Sequence, residues 1–223
     1  MSGFAYQAST DDLLEAFTEA VADHGGSVVG AVQNESFLIA RALLPPAGTV
    51  APNDPFKSGV AIRADAGEVW VHPYVVREVC SNGAILPRTL EAIELGDVGS
   101  WGPSGAAGAI RAAVSSCADV DLFQDNLRRF AATRIAPMDL ALSALPGLGS
   151  PLVAGMAVAI LREFFQGGDR SLYGFVNAIT ATARDTADPL VRWELEAAAG
   201  ALATDRAPAS LGQAPVEAAG VAP

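Results

Sequence analysis

The periodicity of apolar residues changes character once along this chain, and that change constrains the fold more than any single motif. Between about residues 27 and 98, apolar residues come in short runs broken by Gly, Pro, Asn and Asp, as strands and turns require. From about residue 105 to 203 they recur at helical spacing instead. Strands first and helices afterwards predict an α+β domain built from antiparallel hairpins, rather than the alternating βαβ winding of a parallel sheet. At 223 residues the chain suits one domain over residues 1–203. A domain of that size hides roughly 70% of the surface of its unfolded chain, so it needs no disulfide or metal to fold. Residues 204–223 mix Ala, Pro and Gly with few large apolar groups and are expected to form a disordered tail.

Finer expectations follow from local chemistry. Thr10 with Asp11 and Asp12 starts a helix whose inner face carries Leu13, Leu14, Phe17 and Val21, and Gly25-Gly26 ends it. Ser27–Val32 and Ser36–Leu44 form a hairpin across Gln33-Asn34-Glu35, followed by an exposed Pro-rich loop over Pro45–Ser58. Gly59–Ala64 and Glu68–His72 form a second hairpin, with Trp70 and Val71 on opposite faces. Tyr74–Cys80 reads equally as strand or short helix, Ser81-Asn82-Gly83 as a turn, and Leu90–Leu95 as a strand. Gly96–Gly108 reads as a loop. Ile110, Val114, Cys117, Leu122, Leu127 and Phe130 then mark one long helix or two, up to about Ile135. Helices are expected at Pro151–Gln166, Ser171–Thr186 and Pro189–Ala203.

Charge and composition remove several functions. The formal net charge is −11, with Lys57 the single lysine. Such a balance opposes general adhesion to DNA or anionic lipid but leaves room for a local arginine patch. Leu140–Leu161 contains no charged residue and approaches the length of a spanning helix. Pro146 to Pro151 inside it is turn chemistry, so two short buried helices are expected and no membrane span. Cys80 and Cys117 are far apart and lack a CxxC pattern, which favours free thiols in a reducing compartment. The N-terminus lacks the basic and apolar regions of a signal peptide. A cytoplasmic location is the expectation.

The chemistry of known catalytic motifs is hard to find. Only His24 and His72 offer imidazoles, and His24 suits a helix C-terminus. There is no GxSxG elbow, no Walker sequence and no metal-ligand spacing, so no catalytic residue, cofactor or metal is assigned. Gly99–Gly108 precedes a helix as a phosphate loop would, but its spacing is not GxGxxG and no strand clearly leads into it, so a connector is expected. The motif that stands out is Arg77-Glu78-Val79-Cys80-Ser81-Asn82-Gly83, where Asn82-Gly83 suits a tight turn and Arg77 projects nearby.

Together with Ser58–Arg63 and the later segments Leu172–Thr180 and Leu195–Gly200, this motif resembles the phage/plasmid-like proteins grouped as domain of unknown function 932. The resemblance spans roughly residues 25–203. It implies carriage by mobile elements and supplies no catalytic residue.

Three functional classes follow. The first is a non-enzymatic protein of mobile-element DNA metabolism that binds or anneals single-stranded DNA. Its phosphate contacts would be Arg63, Arg77, Arg88, Arg128 and Arg129 around Asn82 and Gly83, with Trp70 or Tyr74 stacking on bases. The second is a self-associating interaction module or adaptor, motivated by the apolar Leu140–Phe165 region. An enzyme gathering Arg77, Asn82 and Glu78 or Asp65 is the third.

Overall fold

The computed structural model describes residues 8–51, 54–65, 68–77, 82–85, 93–97, 102–117, 128, 131–133 and 151–204. The architecture is α+β, with an antiparallel sheet followed by helices. Helix α1 (Thr10–Asp23) starts one residue earlier than its acidic residues suggest. Ser9 is the N-cap, its Oγ accepting from Asp12 N at 3.2 Å while Ser9 N donates to Asp12 Oδ2 at 2.8 Å. Those hydrogen bonds from Ser9 hold the Asp12 carboxyl below the usual carboxylate range. At the other end Gly25, at φ 70°, donates to Ala22 O, and Gly26 donates to Val21 O, a Schellman closure that only a residue tolerant of positive φ makes cheaply.

Six strands follow: β1 (Ser27–Asn34), β2 (Phe37–Ala51), β3 (Asp54–Asp65), β4 (Glu68–Arg77), β5 (Asn82–Ile85) and β6 (Ile93–Asp97). They pair in the order β1-β2-β3-β4-β5, and β6 also pairs with β4. The Pro-rich segment is not a loop. Its prolines fit an extended backbone, so β2 runs on through Pro45 and Pro46 and pairs with β3 up to Ala51↔Asp54. The register shift between Leu43 and Ala47 falls where the two prolines have no N–H to give the ladder. Pro73 is accommodated in a related way. Strand β6 takes Glu68–Val71 and β5 takes Tyr74–Arg77, so Pro73 stands where neither provides an outer partner.

Asn82-Gly83 is also not the centre of a turn. Asn82 pairs with Arg77 and Gly83 with Val76 as the first rungs of β4–β5. The glycine-rich run is likewise shorter as a connector than expected. Gly96 lies in β6, and α2 (Pro103–Cys117) begins at Pro103, whose missing N–H and fixed φ suit a first helical turn. Helices α3 (Pro151–Gly155), α4 (Ala157–Gly167), α5 (Leu172–Arg184) and α6 (Pro189–Thr204) complete the described chain. The single helix expected over Pro151–Gln166 is thus two, divided at Met156. Among the described residues no helix is long and apolar enough to cross a membrane. Ser171 Oγ caps α5 through Gly174 N, and Asp188 Oδ1 caps α6 through Leu190 N and Val191 N.

Period-two alternation divides the sheet into two unlike faces. Leu38, Ala40, Ala42, Val60, Ile62, Val69 and Val71 point to one side and bury against α1 and α2. Towards the β5 end, Phe56 and Val75 join a second cluster with α3 to α6 through residues such as Ile160, Phe164, Phe175 and Leu195. The opposite face is covered by α6, with Ile39, Ala61 and Tyr74 against Trp193. Gly59 fits because a Cβ there would land on the Ala42 carbonyl oxygen.

Cys117 closes the α2 side of the first core. It is fully buried, and burial pushes its thiol up to about 12. Alkylation with iodoacetamide at pH 8 should leave Cys117 unmodified in the folded chain and label it on unfolding, read by peptide mass spectrometry. Labelling at native rates comparable to a free thiol would contradict this core.

Candidate functional site

Alternation brings the chemistry of the sheet to the face under α6. Arg41 on β2, Arg63 on β3, and Trp70, His72 and Tyr74 on β4 share it, as the pairings Ile39↔Arg63, Arg41↔Ala61, Arg63↔Trp70 and Ala61↔His72 require. Helix α6 answers with Arg192, Trp193, Glu194 and Glu196. Glu196 is 1% exposed and lies between two guanidinium groups. Arg41 Nε (2.7 Å) and Nη2 (2.6 Å) both close on its Oε2, while Arg192 Nε donates to Oε1 at 3.0 Å. Both Arg41 nitrogens crowd one oxygen instead of forking across two. Nη2 therefore contributes charge without a well-aligned hydrogen bond.

Aromatic groups frame this cluster. The Arg41 guanidinium lies 5.9 Å from the Trp193 ring, and His72 meets the same ring edge-on at 5.6 Å. Tyr74 is 2% exposed, and burial, reinforced by Glu196, raises its phenol far above the ordinary range. It is a neutral wall of the core at every physiological pH. At the rim, Arg63 bonds Asp65 Oδ2 through Nη2 at 3.0 Å and Glu194 Oε1 through Nη1 at 3.3 Å, with its guanidinium 5.6 Å from the Trp70 ring.

The predicted nucleic-acid residues therefore fall in different places. Arg63 is held by two carboxylates. Arg77 pairs in register with Phe56, seven residues along β3 from Arg63, or about 23 Å at the usual strand rise. Asn82 and Gly83 stand beside Arg77 on β5. Arg128 is exposed and donates through Nη2 to Thr49 O at 3.5 Å, at the far end of the β2–β3 ribbon. Arg88 and Arg129 lie outside the described residues, as do Glu78 and Cys80. Of the two stacking candidates, Tyr74 is sealed under α6, where no base reaches it, and Trp70 is partly exposed. Asp65, a carboxylate of the enzymatic reading, is the partner of Arg63 and stands at that strand's opposite end from Arg77. Arg41, Arg192, Glu194 and Glu196 were missed altogether. The available signal was the pair of glutamates flanking Leu195, just after Arg192 and Trp193, in a helix that is otherwise apolar apart from that arginine.

Two further polar groupings have structural explanations. His24 caps α1 and its Nε2 lies 3.0 Å from Ser115 Oγ, but Ser115 already donates to Arg111 O at 2.9 Å, so the pair ties α1 to α2 without an activated hydroxyl. A cavity of about 260 Å³ lies between α1 and the start of α2, lined by Asp12, Glu15, Glu19, Pro103 and Ser104. A strand, β6, does precede this helix start, contrary to expectation. The carboxylates around it nevertheless repel a phosphate, and they already face the positive helix end. Among the described residues no group of His, Cys, Asp and Glu is arranged to hold a metal ion.

Burying Glu196 between two arginines sets a sharp test. Glu196→Ala leaves Arg41 buried without its counter-charge and should lower stability by about 3–5 kcal/mol, read from urea midpoints. Adding Arg41→Met should recover much of that loss, because two apolar groups replace an orphaned charge. A Glu196→Ala cost under about 0.5 kcal/mol, the range of ordinary surface substitutions, would contradict the clamp. In comparisons with known proteins, no family model, no curated protein and no solved structure matches this chain.

Proposed function

We propose that this protein works by association, as a self-associating interaction module or adaptor rather than a catalyst. The observation that carries the reading is the contrast between its two kinds of surface group. Arg41, Arg63, His72 and Tyr74 on the sheet are engaged by α6, while large apolar side chains stand in solvent elsewhere. Val29 and Val32 on β1 are 54% and 49% exposed, and Val158 on α4 is 72% exposed. Scattered apolar residues are normal on a surface, but paired ones along a sheet edge suit a contact.

A second reading keeps the mobile-element setting implied by the resemblance to the phage/plasmid-like family, with single-stranded DNA as partner. Trp70 favours it, since a partly exposed indole beside a guanidinium is a stacking platform for a base. The net charge of −11 weighs against it.

Multi-angle light scattering over a concentration series, with labelled oligonucleotide titrations at several salt concentrations, separates the two. The association reading expects a mass that rises above the monomer with concentration and no oligonucleotide binding at low salt. A strict monomer contradicts it. Binding that weakens steeply with salt favours the DNA reading instead.

A further inference from the structure

Strand β1 ends the sheet, and among the described residues its outer side has no strand partner. Residues 29–36 are all exposed. Its eight residues, Ser27-Val28-Val29-Gly30-Ala31-Val32-Gln33-Asn34, contain no charge and no proline, in a chain of net charge −11. Proteins ordinarily protect such edges with lysines, prolines, inward charges or bulges. Here one bulge, between Val28 and Gly30, serves that purpose at the first end of the strand. From Gly30 to Asn34 the ladder to β2 is regular, one residue opposite one. Five consecutive residues thus present a regular, neutral, partly apolar edge.

We infer that this edge pairs with β1 of a second copy of the chain, antiparallel across a two-fold axis at Val32, to make one continuous sheet through the dimer. This rests on the association reading and names its surface. Antiparallel pairing is self-complementary under a two-fold rotation, so one segment supplies both sides of the contact. With the axis at Val32, the two Val32 side chains meet across the seam, Ala31 stands opposite Gln33 of the other copy, and Gly30 opposite Asn34. The β-branched pair adds cross-strand packing on the α6 side of the sheet. Centring the contact there also keeps it clear of the bulge. The neutrality of β1 matters for the choice of a second copy. Two chains of charge −11 repel over most of their surfaces, and the uncharged edge of β1 is where they approach with least like charge opposed, the adjoining Asp11 carboxylate being held on the α1 side by Gln33 Nε2 at 2.7 Å. Salt screens the remaining repulsion, so this dimer tightens as ionic strength rises, opposite in sign to a nucleic-acid contact.

Sedimentation equilibrium of the whole chain with and without V32K, in low and high salt, tests the inference, with V32C cross-linking as an independent readout. All cysteine variants carry Cys80→Ser. Val32 is half-exposed, so V32K should fold, which circular dichroism checks. The expected result is a wild-type dimer strengthened by salt and weakened about tenfold or more by V32K, which sets two ammonium groups against each other at the axis. V32C should form a disulfide-linked dimer under mild oxidation, because directly opposite Cβ atoms lie within bridging reach. V158C, on exposed α4, should not. A dimer that survives V32K, or a V32C that fails to cross-link, overturns the β1 interface while leaving self-association standing. A wild-type chain that stays monomeric at every concentration overturns both.

Discussion

Glu196 is a carboxylate sealed into the interior by the helix that carries it, and any packing of α6 must supply its counter-charge. Arg41 provides that charge from β2 of the sheet, and Arg192 provides it from one helical turn earlier on α6. Such a cluster adds little net stability over an apolar trio of the same volume. What it changes is the cost of error, because a slipped α6 would bury a carboxylate and a guanidinium apart. The rim pair of Arg63 with Glu194 repeats the constraint two residues earlier on the helix and two positions along the sheet face. Trp193 fills the space between, against Ile39, Ala61 and Tyr74. Charge sets the register of α6, and the indole fills the interface.

That arrangement bears directly on function. A sheet face carrying two arginines and three aromatic or imidazole groups looks, in isolation, like a surface for polyanions. Covered by α6, it is an internal interface whose positive charges are matched by Glu194, Glu196 and Asp65. On the association reading proposed above, the groups available to partners among the described residues include the uncharged strand edge at β1 and exposed apolar side chains such as Val158 on α4. The net charge of −11 opposes approach of anionic partners, and on that same reading it favours contact through neutral surface.

Much of the architecture was legible because it is written in local pattern. The change from strand to helical periodicity identified an α+β chain, and the helices expected from Ser171 and Pro189 start within a residue of α5 and α6. Local pattern misled where a residue's usual role and its neighbours disagreed. Pro45 and Pro46 suggested a loop, yet a proline's fixed φ is compatible with a strand once the ladder skips a rung. Asn82-Gly83 suggested a turn centre, yet both residues begin β5. Pro103 opened a helix inside a run of glycines that looked like a connector. The charged cluster was illegible for a different reason. Arg41 and Glu196 are separated by 155 residues, and nothing local links a strand arginine to a helical glutamate. Arg63 and Tyr74 were noticed as solvent-facing candidates because pairing and burial are properties of the assembled sheet, not of their neighbours in the chain.

The central claim is that α6 is locked to the sheet by a buried charge cluster and belongs to the same cooperative unit. Native-state hydrogen exchange, resolved along the chain and measured in increasing sub-denaturing urea, tests it most directly. Amides of Trp193–Ala199 in α6 should merge with those of β2, β3 and β4 at one opening free energy, equal to that of global unfolding. An α6 that opens separately, at much lower free energy and with the sheet still protected, would show that the helix is only laid against that face and would contradict the account.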